Sequence, residues 1–327
     1  MVKQSYPPAI RPLDPSKDLW KIADLIELCF AETLDQSSRE YIRQLRQVAK
    51  DPHYFWIGSS ENHLYAPREG FVWEEEGKIV GNLSLFRFCT RMGIEYLIAN
   101  VAVHPEFRRR GIAKLLTQRA LDHIRRRGGC RAWLNVREDN QPAYLLYCKL
   151  EFVEQLRRTH WQFSPDSSPM RLKSPSPLLT GQLQIKRRSP LDWELHKRWL
   201  LSTYPPDYHW HLDFQLSCFK PGFLTWLRNF LNSTSYQHYS ILLNQNLIGV
   251  ATLQSTYKDY YLWMACDPRW EEEAFEGFLN TFLGQRGLKR KILLDYPASR
   301  AVQPLRAFGF TPTQTLIWMQ RILSSCS

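Results

Sequence analysis

The stretch from Tyr96 to Arg127 restricts the fold more than any other part of this 327-residue chain. An apolar run closes on Val101-Ala102-Val103-His104-Pro105, and Arg108, Arg109 and Arg110 follow. From Gly111 the pattern changes period: Ile112, Leu115, Leu116, Ala120 and Ile124 fall near helical spacing, and Gly128-Gly129 stops the run. The reading is strand, loop and helix in direct succession. A helix N-terminus carries unpaired N–H groups and partial positive charge, and it binds phosphate. Gly111 lets a diphosphate approach the backbone, and the small Ala113 keeps the next turn clear. The arginines add charge-assisted hydrogen bonds. Local physics therefore predicts a pyrophosphate site. The six residues Arg108 to Ala113 alone read equally well as an exposed basic loop; their place between a strand and a helix favours the site.

The surrounding pattern predicts an α/β fold with one mixed sheet and helices on both sides. A short strand at 9–13 precedes helices over 18–30 and 36–50. Strands follow at 69–75, 79–88 and 95–103, then the helix from 111, a strand at 131–136, a helix over 140–150 and a strand at 152–163. The Ser- and Pro-rich segment 164–177 can continue neither a helix nor a central strand. It divides the chain into a first domain over 1–164, a linker over 165–182 and a second domain over 183–327. The second half repeats the order of the first. Glu76-Gly-Lys-Ile-Val-Gly81 is matched by Asn244-Gln-Asn-Leu-Ile-Gly249, Tyr96 to Pro105 by Tyr261 to Pro268, and Leu150-Glu-Phe152 by Phe308-Gly-Phe310. One fold used twice is the expectation.

Arg108-Arg-Arg-Gly-Ile-Ala113, placed after Val101-Ala-Val-His-Pro105, resembles the acetyl-CoA loop of the GNAT superfamily of N-acetyltransferases. Asn140-Gln-Pro-Ala143-Tyr-Leu-Leu146-Tyr147 fits a second motif of that superfamily, which is commonly followed by Gly-Phe; here Glu151 stands in the glycine position before Phe152. The resemblance covers residues 9–163 and, with the internal repeat, implies two tandem domains of acyl-CoA N-acyltransferase type. It implies acetyl-CoA as co-substrate, with backbone groups of Val101, Ala102 and Val103 on the pantetheine arm. The N–H groups of Arg108, Arg109, Arg110, Gly111, Ile112 and Ala113 would cradle the pyrophosphate. Asn140 would fix the cofactor arm or the following helix, and Tyr147 would protonate the departing thiolate, with Tyr144 as its substitute. The implied reaction is direct transfer of the acetyl group to a primary amine of a small molecule or a protein. A non-catalytic acyl-CoA sensor or scaffold is the alternative. An attacking amine must lose a proton, yet no base is legible: Glu95, Asn100 and His104 each read as structural.

The second copy departs where it matters. Arg269-Trp-Glu-Glu-Glu273 replaces the arginine-glycine loop, Ala301 matches Ala143, and Leu305 falls in the place of Tyr147. A catalytically silent second domain is expected. Tyr204-Pro-Pro-Asp-Tyr-His-Trp-His211 is dense in aromatic residues and reads as a packed helix-to-loop segment rather than an acceptor pocket.

Other features narrow the function classes. The seven cysteines, Cys29, Cys89, Cys130, Cys148, Cys218, Cys266 and Cys326, form no Cys-x-x-Cys pair. Reduced thiols in a cytoplasmic protein and no metal are expected. No apolar run is long enough for a transmembrane helix, and no membrane partner is expected. The formal charge of +11 would suit nucleic acid, an anionic cofactor or solubility alone; the basic runs have local explanations and no nucleic-acid motif is present, so no nucleic-acid partner is expected. A monomer or homodimer is expected.

Overall fold

The computed structural model describes residues 7–34, 36–51, 66–90, 92–165, 183–208, 214–222, 225, 229, 235–256, 259–285 and 290–323. Most of the expected linker (166–182), together with His209, Trp210 and His211, lies outside them. In chain order the first half holds β1 (Ile10–Pro12), α1 (Pro15–Phe30), α2 (Gln36–Lys50), β2 (Glu69–Glu75), β3 (Lys78–Thr90) and β4 (Gly93–Val103). It continues with α3 (Ile112–Arg126), β5 (Arg131–Arg137), α4 (Gln141–Lys149) and β6 (Val153–Phe163). The second half holds β7 (Leu183–Arg187), α5 (Trp193–Thr203), α6 (Leu216–Phe219), β8 (Ser235–Leu243), β9 (Asn246–Ser255) and β10 (Tyr260–Cys266). It ends with α7 (Glu271–Gln285), β11 (Ile292–Pro297), α8 (Val302–Ala307) and β12 (Thr311–Ile322). Each strand and helix expected in the first half is present, with ends shifted by a few residues. No helix among the described residues is long and apolar enough to cross a membrane.

The chain forms two compact units, Met1–Leu156 with Ile317–Ser327, and Arg157–Leu316. In the first unit β1 to β4 pair antiparallel, β5 runs parallel to β4, and β12 lies beside β5. The buried residues make two layers. Leu83, Ile98, Leu116, Leu134 and Tyr147 pack on the face covered by α3 and α4. Ile22, Leu45, Val72 and Ala102 pack on the face covered by α1 and α2. Burying each of these Leu, Ile and Val side chains fully stabilises the unit by about 1.5–3 kcal/mol. Asp14 caps α1 by accepting from Ser16 N, and Pro15 sits at the first helical position. Buried Asp18 takes both arms of Arg11, at 2.6 and 2.9 Å.

The expected boundary at 164/165 is corrected by strand pairing. Residues 158–163 of β6 hydrogen-bond to β11 and belong to the second unit. The strand beside β5 in the first unit comes instead from the C-terminus, where Ile317 and Met319 enter the core of that unit. Leu323 N donates to Cys130 O, which holds the end of this segment beside β5. A contiguous reading of the sequence gives β6 to the first domain because it follows α4 directly; nothing in its own pattern names its partner strand. The second unit repeats the pairing pattern: β7 to β10 are antiparallel and β11 is parallel to β10.

Met319 has no exposed surface and packs with the core of the first unit. We predict that Met319→Ala destabilises that unit by about 2–5 kcal/mol, read by native-state hydrogen exchange at β4 and β5. Loss of protection confined to β9 and β11 would instead assign the strand to the second unit.

Candidate active site

The site starts where two strands part. β4 and β5 pair only from Glu95↔Arg131 to Leu97↔Trp133. Beyond Leu97 the β4 edge that faces β5 runs on without a partner strand among the described residues, while its other edge stays paired to β3 as far as Gly81↔Val103. The alternation of a strand fixes which groups lie on that open edge. His104 N donates to Val80 O, so His104 and Ala102 turn their backbone groups toward β3. Val101 and Val103 turn theirs the other way. The open edge therefore belongs to Val101 and Val103, whereas Ala102 pairs with Asn82 and buries its methyl on the α1 face.

The loop that follows leads from this edge into α3. His104 Nδ1 accepts from Glu106 N at 3.4 Å and caps a single 3-10 turn over Pro105–Phe107. Arg108, Arg109 and Arg110 are exposed. Arg108 Nε donates to Val103 O at 3.2 Å, and Arg110 lies over the Phe107 ring at 4.7 Å. Gly111, at φ +80, is the N-cap of α3 and offers no capping side chain, and a Cβ built on it would meet no atom within 4 Å. The first N–H groups of a helix have no intrahelical partner. The residues that lead into them, Arg108, Arg109, Arg110 and Gly111, are all exposed, an arrangement that fits a diphosphate.

Tyr147 is placed by α4. Asn140 Oδ1 accepts from Ala143 N at 3.3 Å, so Asn140 serves as the cap of this helix. The helix ends in a Schellman turn, with Phe152 N donating to Tyr147 O and Glu151 N to Cys148 O. Glu151 adopts φ +62 where the motif favours glycine, and Arg321 supports the turn by donating to Leu150 O and to the Glu151 carboxylate. The departure from glycine thus changes how the helix end is held and leaves the turn intact. Tyr147 packs in one cluster with Ile98 and Ile112, and Val101 and Val103 lie against that cluster. Burial pushes its phenol well above the ordinary tyrosine range. Tyr144 is less enclosed and its hydroxyl reaches Glu154, at 3.4 Å.

The three groups considered as bases have structural occupations. The buried Glu95 carboxylate accepts from Thr90 Oγ1 and Trp133 Nε1, both at 2.6 Å. Asn100 holds a bulge, and His104 caps the 3-10 turn. The residues missed from sequence are Tyr41, Asn82 and Ser84, which meet Asn100 inside the first unit. Asn82 and Ser84 alternate with Leu83 and Leu85, the pattern of a half-exposed strand, but helices cover both faces and both polar side chains are buried.

The corresponding place in the second unit is filled from within. β10 and β11 pair only at Tyr260↔Ile292 and Tyr261↔Leu293. At the start of α7, Glu271 turns inward, accepts from Tyr296 Oη, and takes two nitrogens of Arg300. A carboxylate of the chain thus occupies the first turn of this helix, and buried Leu305 stands in place of Tyr147.

The Acetyltransferase (GNAT) family model matches residues 21–152, a span that includes β4, the arginine-glycine loop and Tyr147. The (ribosomal protein bS18)-alanine N-acetyltransferase of Salmonella typhimurium is 38% identical over 68 residues, 20% of this chain and 46% of that protein. The protein of that name from Escherichia coli is 32% identical over 82 residues, 25% of this chain and 55% of that protein. The chain therefore spans about half the length of these two relatives. N-alpha-acetyltransferase RimI of Mycobacterium tuberculosis is 32% identical over 123 residues, 37% of this chain and 72% of that protein. Among solved structures, a GCN5-related N-acetyltransferase from Sphaerobacter thermophilus shares the fold with a TM-score of 0.59 at 16% identity, covering 98% of this chain and 97% of that chain. With the matched span holding the parted strands, the uncapped helix start and the buried phenol, the chain belongs to the GNAT acetyltransferase family.

Proposed function

We propose that the first unit transfers the acetyl group of acetyl-CoA to a primary amine by direct attack, with donor and acceptor bound together. The observation that carries this reading is the open β4 edge at Val101 and Val103 running into the uncapped start of α3. An extended amide-bearing arm can pair with such an edge as an added strand does. The N–H groups from Arg109 to Ala113, with the arginine side chains, suit the diphosphate at the end of that arm; the Arg108 N–H is already given to Pro105 O at 3.3 Å. When bound, acetyl-CoA supplies an activated acyl group and a thiol leaving group.

The chain's own residues account for the remaining work. The Val103 N–H, on the open edge, is a donor for the acetyl oxygen as negative charge builds there. In the reaction a C–N bond forms, the C–S bond breaks, the amine loses a proton and sulfur gains one. Tyr147 is the proposed donor to sulfur. Because burial raises its pKa, the phenol stays protonated through the working pH range, so its hydrogen bond is available in every turnover. Holding both substrates in one geometry contributes much of the acceleration.

The acceptor is a small-molecule or protein amine. The bS18-alanine acetyltransferases among the relatives make a protein N-terminal α-amine the first acceptor to test. Such an amine has a pKa of about 7.7–8.0, against about 10.4 for lysine. A substantial neutral fraction exists near pH 7.5, so an α-amine demands less from a base than lysine does.

We read the second unit as a diverged copy without a donor site, a role supported by the internal repeat and by the inward Glu271 carboxylate. One acetyl-CoA per chain is the expected stoichiometry in calorimetric titration; two would refute this part.

Two substitutions test the first unit. Gly111→Glu should weaken CoA binding more than about 100-fold, through bulk and like charge beside the diphosphate, with Gly111→Ala as the control for backbone strain at positive φ. Unaltered CoA affinity in folded Gly111→Glu would remove the phosphate assignment. Tyr147→Phe should lower kcat about 10²–10⁴-fold while changing CoA affinity little. The sign of the pKa shift adds a pH criterion. A raised phenol pKa keeps the donor form up to pH 10 and beyond, so wild-type kcat should rise as the amine deprotonates and show no fall from Tyr147 below about pH 10. Full turnover by Tyr147→Phe at all pH values would end the acid role.

A further inference from the structure

Within β4, one residue departs from strand geometry. Asn100 has φ +53, a left-handed conformation inside an otherwise extended segment. The ladder to β3 shifts there: Ser84 faces Ala99 and Asn82 faces Ala102, so Asn100 and Val101 together oppose Leu83. This is a bulge with one extra residue on β4.

Four side chains hold it. Asn82 Nδ2 donates to the Asn100 carbonyl at 2.9 Å and lies 3.3 Å from Ser84 Oγ. Asn100 Nδ2 donates to Tyr41 Oη at 2.6 Å and lies 3.3 Å from Ser84 Oγ. Asn82 and Ser84 have no exposed surface. The Asn82 Oδ1 oxygen is buried with no hydrogen-bond partner. A strained backbone, a buried polar cluster and an unsatisfied carbonyl oxygen each oppose folding, and here they coincide at one point of the sheet.

The second unit supplies an internal control. Gly249 and Cys266 occupy the places of Gly81 and Val103 in the repeat. From that pair to Ser255↔Tyr260 the β9–β10 ladder runs through seven consecutive pairs without a register shift. Val250 stands where Asn82 stands in the first unit. The same two strands therefore pair without a bulge in the copy whose helix start is filled by Glu271. The sheet does not need the bulge in order to form.

A one-residue insertion reverses which backbone groups point to each edge. With the bulge in place, Ala102 pairs to β3 while Val101 and Val103 present their groups to the open edge. Without it, the groups of Val101 and Val103 would turn to β3. We propose that Tyr41 and Asn82, acting through Asn100, are positioning residues that set the register of the donor-binding edge. The proposal rests on the acetyl-CoA reading of that edge. Tyr41 carries this role from outside the sheet: it is half-buried on α2, and burial raises its pKa well above the ordinary range, so it acts as a neutral hydrogen-bonding group and not as a base.

The test is calorimetric titration with CoA, which binds without reacting, on wild type, Tyr41→Phe and Asn100→Gly. Phe keeps the ring in the core; Gly keeps the backbone conformation and removes the amide. Both should keep a melting temperature within a few degrees of wild type while Kd for CoA rises about five- to tenfold, the scale set by one lost hydrogen bond. KM for acetyl-CoA should rise in step, and the pH profile of kcat should keep its shape. Folded variants with unchanged Kd and KM would overturn the proposal, including when only the melting temperature falls. If Tyr41→Phe does not fold, Asn100→Gly decides the matter alone. Wild type that fails to bind CoA would reject the donor reading itself, and this inference with it.

Discussion

The parting of β4 from β5 is the constraint on which the first unit depends. Backbone N–H and C=O groups inside a sheet need partners, and an edge that loses its neighbour in mid-strand exposes a row of them. The chain leaves this edge open from Ile98 onward while keeping β4 fixed on its other side, from Thr90↔Gly93 to Gly81↔Val103. Everything beside the edge suits a ligand that completes it. The strand delivers the chain into a helix start without a capping side chain, where Gly111 has φ +80. An extended arm with an anionic end matches both features in order along the chain.

Tyr147 shows how packing and chemistry share one side chain. Its ring contacts Phe152 edge-on at 5.9 Å and belongs to the core that joins α3, α4 and the sheet. A phenol held this way loses little freedom when a sulfur atom arrives near its hydroxyl. The same burial that raises its pKa makes it a poor acid in isolation. In the proposed role its contribution is a directed hydrogen bond to developing thiolate charge.

Much of this was legible in the sequence because the signals were local. The change of period at Gly111, the glycine pair that stops α3, and the spacing from Asn140 to Tyr147 each depend on a few neighbouring residues, and each lies where expected. Two features were illegible for a physical reason. Strand partnership is non-local, so residues 158–163 read as the natural close of the first domain although they pair with β11. The bulge was hidden because Asn82 and Ser84 look like the outward residues of an amphipathic strand. The cover of α1 and α2 makes them buried, and Tyr41, which joins them at Asn100, is 41 residues from Asn82 in sequence and sits on a helix whose own pattern gives no hint of a polar contact.

The two units together separate what the fold requires from what the site requires. Both have an antiparallel run of four strands followed by a parallel one, and both close their last helix with a Schellman turn, at Glu151-Phe152 and at Gly309-Phe310. These shared features persist with almost no identity in the side chains that carry them, so they report on folding. The differences cluster along one line from strand to helix. The first unit has a bulge, an open edge, an uncapped glycine and a tyrosine; the second has an unbroken β9–β10 ladder, an inward glutamate at the helix start and a leucine. A glutamate at the first turn of a helix, paired to an arginine, satisfies the same positive end that a phosphate would. Stability alone therefore favours the arrangement of the second unit. The first unit keeps its strained asparagine and its empty helix cap against that preference, which is the behaviour expected of a sheet selected to bind.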